Sequence, residues 1–468
     1  MFYTILLILY FLIALSIVIS LLINGVRPSK TLGWLLAIFT IPVGGALLYL
    51  MVGRNRRKNS LLRRKSPSLI NGARLIDPLT LEISERHRKI VRLIQQNNSF
   101  NPSVDNTITL LKDGGATFNS IFNALEKATD FIHLQYYIFE EGELADKLLN
   151  VFERKIAQGV KIRLTYDGIG SFSLSKSYLK SLKEIGVEAF PFLPFRFGRF
   201  LRSVNYRNHR KIIVIDGEVA FTGGINISDK YLKGDNVLGK WHDMHLRIEG
   251  SAVRDLNLIF LEDWQLVSEQ EIPPVRRAIS KNITKPMSMV QITSSGPDDD
   301  FPAIEEVYFS MINSAEGYLY IVNPYIMPSA AILTALETAA ISGIDVRLLL
   351  SENNDSKLVN WCVRSYFENL LRAGVKIFLF PEGFVHSKII ISDDEIASVG
   401  TANIDIRSFD QNYEVNAMVY DAEFTNVLKK DFLTDCHQSN ELIFEEHLKR
   451  PWLDKLKEGF ARIFSSVL

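Results

Sequence analysis

The chain has 468 residues, 47% of them hydrophobic, with 53 Lys and Arg set against 53 Asp and Glu. That length exceeds one ordinary core, so two or more domains are expected, and a formal net charge of zero gives no overall pull toward nucleic acid. Only Cys362 and Cys436 are present, which excludes a disulfide framework and a cysteine-based zinc cluster and fits a reducing compartment.

Residues 2–24 are an almost unbroken apolar run and residues 31–53 are another, each long enough to cross a bilayer core as a helix. Between them lie Gly25, Arg27, Pro28 and Lys30, so a transmembrane helical hairpin over residues 1–53 is expected. A cleaved signal peptide is the rival reading. It is disfavoured because no basic segment precedes the first run and the second follows at once.

Arg54, Arg56, Arg57, Lys58, Arg63, Arg64 and Lys65 come next. Basic flanks of that density stay in the cytoplasm, which predicts a multi-pass cell-membrane protein with its remaining chain on the cytoplasmic face. The same cluster would attract anionic membrane lipids. Residues 54–106 read as this basic juxtamembrane segment followed by a polar, helical connector, in which His87 lies among charges and is expected to be solvated.

Beyond the connector the chain reads as two successive α/β units, 107–275 and 285–446, each running helix, strand, helix, strand. GVKIRLTYD in the first matches GIDVRLLLS in the second, and EIGVEAFPF matches RAGVKIFLF. Duplication is the simplest explanation. Strands separated by helices predict a sheet covered on both faces, and two homologous units related by a pseudo-twofold would bring equivalent segments to one seam.

The segments that matter there are residues 208–226, NHRKIIVIDGEVAFTGGIN, and 385–403, VHSKIIISDDEIASVGTAN. Each spells H-x-K-x-x-x-x-D and, after six intervening residues, G-[GT]-x-N. The first supplies His209, Lys211, Asp216, Gly223 and Asn226, and the second supplies His386, Lys388, Asp393, Gly400 and Asn403. One copy alone would read as a buried strand whose histidine is satisfied by hydrogen bonds; two copies sharing the same tail point to function.

In an extended segment alternate side chains share a face, so the His and Lys of H-x-K project together. Two imidazoles, two ammonium groups and two carboxamides converging on one site describe a receptor for a phosphodiester. Lys211 and Lys388 would neutralise its non-bridging oxygens, and Asn226 and Asn403 would donate hydrogen bonds to them. One histidine can then attack phosphorus while the other protonates the leaving alkoxide, giving a phosphohistidine that an incoming hydroxyl resolves.

After the motifs, WHDMHLRIEG corresponds to NYEVNAMVYD, aligning Asp243 with Glu414 as candidates to orient the two rings. Asp216 and Asp393 are expected to belong to the catalytic group, bracing the motif strands or pairing with the lysines. No metal site is expected, because His242 and His245 face opposite sides of a strand and no third ligand is evident. No P-loop or dinucleotide fingerprint is present, so no cofactor is expected.

Residues 196–210, RFGRFLRSVNYRNHR, interleave arginine with Phe197, Phe200 and Tyr206. Such a stretch suits nucleic acid or an anionic membrane interface, and beside apolar spans the membrane is favoured. Residues 447–468 carry Leu456, Phe460, Ile463 and Val467 at helical spacing opposite Asp454, Lys455, Glu458 and Arg462. This amphipathic helix would lie in the membrane interface or pack on the protein's own surface.

The paired motifs resemble those of the phospholipase D superfamily, and the layout of the whole chain is similar to its bacterial cardiolipin synthase family. That second resemblance rests also on RPSKTLGWLL, NPYIMP, GTANIDIRSF and the final helix. It implies ping-pong transfer of a phosphatidyl group from one phosphatidylglycerol to the hydroxyl of another, with release of glycerol. In the superfamily the nucleophile is often the first-motif histidine, which implies His209 with His386 as acid and base. The residues themselves do not rank the two, and they leave open a phospholipase D-type hydrolase, a superfamily nuclease and a non-catalytic membrane scaffold. Nothing in them bears on oligomeric state.

Overall fold

A computed structural model describes residues 2–23, 28–49, 75–194, 206–273 and 287–466. Two compact units divide the chain, the smaller holding the first helices and the larger holding both repeats.

In the smaller unit, helix Phe2–Ile23 runs 22 residues without a charged side chain. Ile17 and Leu21 turn inward with Ile38 and Ala46, while Phe11, Leu12, Ile19 and Leu22 are exposed. The second expected span is two shorter helices, Pro28–Thr40 and Pro42–Leu48. They break at Ile41, which the ring of Pro42 disfavours from helical geometry. Among the described residues no helix is long and apolar enough to cross a membrane. Arg27 and the basic cluster of residues 54–65 lie outside the described residues.

The larger unit is built on β1 (Ser103–Leu111), β2 (Phe131–Tyr136), β3 (Lys161–Asp167), β4 (Glu188–Phe192), β5 (Arg207–Asn208), β6 (Ile212–Ile215), β7 (Val219–Gly223), β8 (Trp241–His242) and β9 (His245–Glu249) in the first repeat. The second repeat carries β10 (Ser288–Ser295), β11 (Tyr318–Val322), β12 (Ile326–Met327), β13 (Asp345–Ser351), β14 (Lys376–Phe380), β15 (Phe384–Val385), β16 (Ile389–Ser392), β17 (Ile396–Gly400), β18 (Ile404–Asp405), β19 (Asn412–Tyr420) and β20 (Asn440–Glu441).

The main sheet runs β20-β14-β13-β11-β16-β17-β19-β10-β1-β9-β7-β6-β2-β3-β4. From the antiparallel β10–β1 pair outward, β19-β17-β16-β11-β13-β14 mirrors β9-β7-β6-β2-β3-β4, the order that duplication about a pseudo-twofold requires. In the first half β2, β3 and β4 are parallel and in the second β11, β13 and β14 are, while the hairpin of the motif is antiparallel in both. The parallel strands β2 and β11 are buried along their whole length, as strands covered on both faces must be.

Helices 252–268 and 422–437 cover one face of this sheet and share a single apolar layer spanning both repeats. The opposite face is covered separately in each half, by helices 114–125, 143–157 and 176–185 in the first and by 303–314, 330–341 and 357–373 in the second. The aligned EIGV and RAGV segments end their helices alike: Gly186 and Gly374 adopt left-handed conformations with φ of 101° and 97°, which a side chain would resist.

The connector helix Glu85–Asn98 packs onto the second repeat, and it corrects one expectation. His87 is buried, with Nδ1 2.9 Å from Ser84 Oγ and 3.3 Å from Glu395. Three residues on, Ile90 begins the apolar face of the helix, so His87 enters the core with it rather than facing water.

Candidate active site

The two histidines are delivered to the seam by equivalent crossings. β5 runs parallel to the start of β19, pairing Arg207 with Asn412 and Asn208 with Tyr413, after which the His209 N–H donates to the Tyr413 carbonyl at 2.9 Å. On the other side β15 runs parallel to β8, pairing Val385 with His242, and the His386 N–H donates to the His242 carbonyl at 2.8 Å.

Each ring is therefore gripped by the other repeat. His209 Nδ1 lies 2.9 Å from Glu414 Oε2 and 3.1 Å from the Thr401 carbonyl. His386 Nδ1 lies 2.7 Å from Asp243 Oδ2. A carboxylate on Nδ1 holds the proton there and leaves Nε2 of each ring as the reactive nitrogen. Both carboxylates are fully buried, and Glu414 is further held by the Thr401 hydroxyl at 2.6 Å and Asn412 Nδ2 at 3.2 Å.

The lysines of H-x-K follow onto the same face. Lys211 Nζ donates to the His209 carbonyl at 2.8 Å and Lys388 Nζ to the His386 carbonyl. Both are buried, and each also acts electrostatically on the histidine of the other copy. Burial brings Lys211 down to about 7 and Lys388 to about 8, and the repulsion from Lys388 adds to the fall at Lys211. Burial and the two ammoniums push both imidazoles toward the neutral form.

The carboxylates differ. Burial drives Glu414 up to about 7 against the pull of Lys211. Burial would raise Asp243 too, but the His386 ring and Lys388 more than offset it, and its carboxyl lies below the usual range. The motif tails differ in step with the length of the carboxylate each one faces. Where the second copy has Thr401, whose hydroxyl serves the longer Glu414, the first has Gly224, and a Cβ there would meet Asp243 Oδ1 at 2.1 Å.

Two expected residues are placed elsewhere. Asp216 accepts from the backbone N–H groups of Thr129, Asp130 and Phe131 at 2.7–2.8 Å, and Asp393 from those of Glu316, Gly317 and Tyr318 at 2.8 Å. Both sit at left-handed φ of 54° and clamp the first residues of β2 and β11. They brace the strands, and Asp393 also pairs with Arg86 at 3.0 Å. Of the two roles expected of them, bracing the motif strands is the one these contacts match.

The two motif carboxamides are in unequal states, and Asn226 reaches the site through Tyr231. Asn226 Oδ1 accepts from the Ile138 N–H at 3.2 Å while its Nδ2 donates to the Tyr231 hydroxyl at 3.1 Å. Asn403 is buried and its Oδ1 has no hydrogen-bond partner among the described residues. Arg207 and Arg210, read with the stretch expected at a membrane, are buried in the protein, Arg210 pairing with Asp263 at 2.7 Å. Those two are withdrawn from that role; residues 196–205 lie outside the described residues. Among the described residues no group of His, Cys, Asp and Glu could hold a metal ion.

Sequence reasoning missed Tyr231, Tyr137 and Thr401. Tyr231 places its hydroxyl 3.2 Å from His386 Nδ1, and Tyr137 packs edge-on against the His209 ring at 4.8 Å. No repeat marks Tyr231: it lies five residues after Asn226, and at the equivalent place after Asn403 the second repeat carries Ser408.

The chain matches the family model described as cardiolipin synthase, PLD-like domain, over residues 121–264 and 308–436, and a phospholipase D-nuclease N-terminal model over residues 7–54. It is 42% identical over 450 residues to a cardiolipin synthase of Halalkalibacterium halodurans, covering 94% of this chain and 90% of that protein. To a cardiolipin synthase of Geobacillus thermodenitrificans it is 41% identical, covering 94% and 89%. Among solved structures, a phosphatidylserine synthase of Haemophilus influenzae Rd KW20 aligns with a TM-score of 0.63 over 81% of this chain and all of that one, at 15% identity, a likeness of fold.

Proposed function

The chain belongs to the cardiolipin synthase family of the phospholipase D superfamily, and from that premise we propose that it joins two phosphatidylglycerol molecules through a phosphohistidine on His209. It is a phosphatidyltransferase. The observation that carries the proposal is the crossed pair of carboxylate-held imidazoles, His209 with Glu414 and His386 with Asp243.

The donor phosphate lies between the rings, its non-bridging oxygens facing Lys211 and Lys388, with Asn403 beside them. His209 Nε2 attacks phosphorus, the bond from phosphorus to the glycerol headgroup oxygen breaks, and His386 gives its Nε2 proton to that oxygen. Glycerol leaves. The neutral His386 then takes the proton from the headgroup hydroxyl of a second phosphatidylglycerol, whose oxygen attacks phosphorus as the bond to His209 breaks.

The unequal carboxylates support this order. A ring facing the ionised Asp243 is the better holder of a proton, whereas a ring facing Glu414, whose own affinity for a proton is near neutrality, is the better neutral nucleophile. The anionic phosphodiester itself relieves the repulsion among the buried cations and favours the imidazolium at His386.

We further propose that residues 1–53 anchor the enzyme in the cell membrane with the catalytic unit on the cytoplasmic face. The charge-free helix Phe2–Ile23 and the basic residues that follow the second apolar run support that reading. Purified enzyme supplied with phosphatidylglycerol tests the reaction: cardiolipin and glycerol in equal amounts are expected, and phosphatidic acid as the sole product would overturn transfer in favour of hydrolysis.

A further inference from the structure

Helix Trp452–Arg462 packs on helix Lys357–Ala373 through one narrow side. Ala461 and Glu458 are its buried residues, and Glu458 is gripped by Arg450 at 3.0 Å. At about 100° per residue, Trp452, Leu453, Leu456, Phe460, Ile463 and Phe464 fall within a stripe about 120° wide centred opposite that buried side. All six are exposed: Trp452 by 70%, Leu456 by 60%, Phe460 by 57% and Ile463 by 72%. An amphipathic helix ordinarily turns such a stripe to the core; this one turns it outward.

The helix is also fixed relative to the chemistry. Gln411 Nε2 donates to the Ser466 carbonyl at 3.0 Å, tying the turn after the helix to the residue that leads into Asn412 and Glu414 of β19. Exposed Lys457 borders the stripe on one edge, and exposed Lys455 and Arg462 lie on the other flank.

We propose that this stripe is a membrane-docking surface that seats the catalytic unit on an anionic bilayer, its apolar side chains entering the acyl region and the flanking cations meeting the headgroups. The occupant follows from the substrate: both donor and acceptor are lipids, so the unit must draw them from a bilayer, and the inference rests on the phosphatidyl-transfer reading in that respect. Apolar burial with basic flanks is how such helices bind interfaces.

The full chain, reconstituted in vesicles of phosphatidylcholine and phosphatidylglycerol, provides the test. In Phe460→Cys, an environment-sensitive fluorophore attaches at residue 460, since Cys362 and Cys436 are buried. Quenching by brominated acyl chains is expected. In parallel, Leu456→Glu with Phe460→Glu should lower kcat/KM on vesicle phosphatidylglycerol about tenfold or more while leaving turnover of a short-chain, water-soluble phosphatidylglycerol within about twofold. An unquenched fluorophore, or equal losses on both donors, would overturn the docking surface. Wild-type enzyme that forms no cardiolipin from either donor would instead overturn the transfer reading itself.

Discussion

At the seam, chemistry rests on two nitrogens whose partners come from across the repeat boundary. Replacing His209 or His386 by Ala should each lower kcat by about 10³-fold or more, measured as cardiolipin formed per enzyme. The positioning carboxylates have a different signature. Asp243→Asn keeps size and burial but removes the charge facing His386, so kcat should fall on the order of 10²-fold or more, with KM little changed and the acid limb of the pH profile displaced. Lys211 and Lys388 make substrate binding pH-dependent. The ammonium is the form that neutralises the phosphate, and it is lost as pH rises through about 7 for Lys211 and about 8 for Lys388. Affinity for a non-reactive phosphodiester lipid should therefore weaken from pH 7 to pH 9, and binding at pH 8 should take up protons. Constant affinity over that range would contradict the charge assignment. The paired histidines, lysines and asparagines were legible because they recur at one spacing. Tyr231 was not, because no counterpart repeats it and its contact with His386 is a product of the crossing.

Among the elements, the motif aspartates show how a strand is aimed. Asp216 and Asp393 each cap three backbone N–H groups at the entry of a parallel strand, and burial is more than offset by those bonds, so each carboxyl lies below its usual range. A depressed carboxyl contributes stability that is full above pH 3.8 and lost as pH falls through its lowered folded value. Asp216→Asn should cost about 1–3 kcal/mol of stability, read as a lower Tm, with kcat of the folded fraction within a few-fold of wild type. His87 has a dependence of the same sign in a higher pH window. Burial brings it down to about 4 from 6.5, so the docking of helix Glu85–Asn98 should be firm above pH 6.5 and weaken progressively toward pH 4. The duplicated pattern of strands and helices was readable from GVKIRLTYD and GIDVRLLLS, because Val160, Ile162 and Leu164 alternate with polar residues just as Ile344, Val346 and Leu348 do. The environment of His87 was not readable, since Glu395, which faces its ring, comes from the second repeat, far away in sequence.

For the whole molecule, duplication explains why one active site needs both halves. Asp243 and Glu414 could be aligned from the sequence, but a linear chain does not say whether each serves its own histidine or that of the other half. The β5–β19 and β8–β15 pairings answer this: each repeat lends its carboxylate to the other's ring. A separated half would therefore carry a histidine without its orienting partner, and neither half expressed alone should form cardiolipin. The central claim is a covalent phosphatidyl intermediate on the first-motif histidine. Brief reaction of His386→Ala enzyme, which slows resolution, with phosphatidylglycerol labelled in its acyl chains, then a quench in neutral denaturant that spares the acid-labile phosphorus–nitrogen bond, and peptide mapping test it most directly. The account predicts label on the peptide containing His209 and none in His209→Ala. Label on His386 in the wild type, or cardiolipin formed without any covalent adduct, would contradict it.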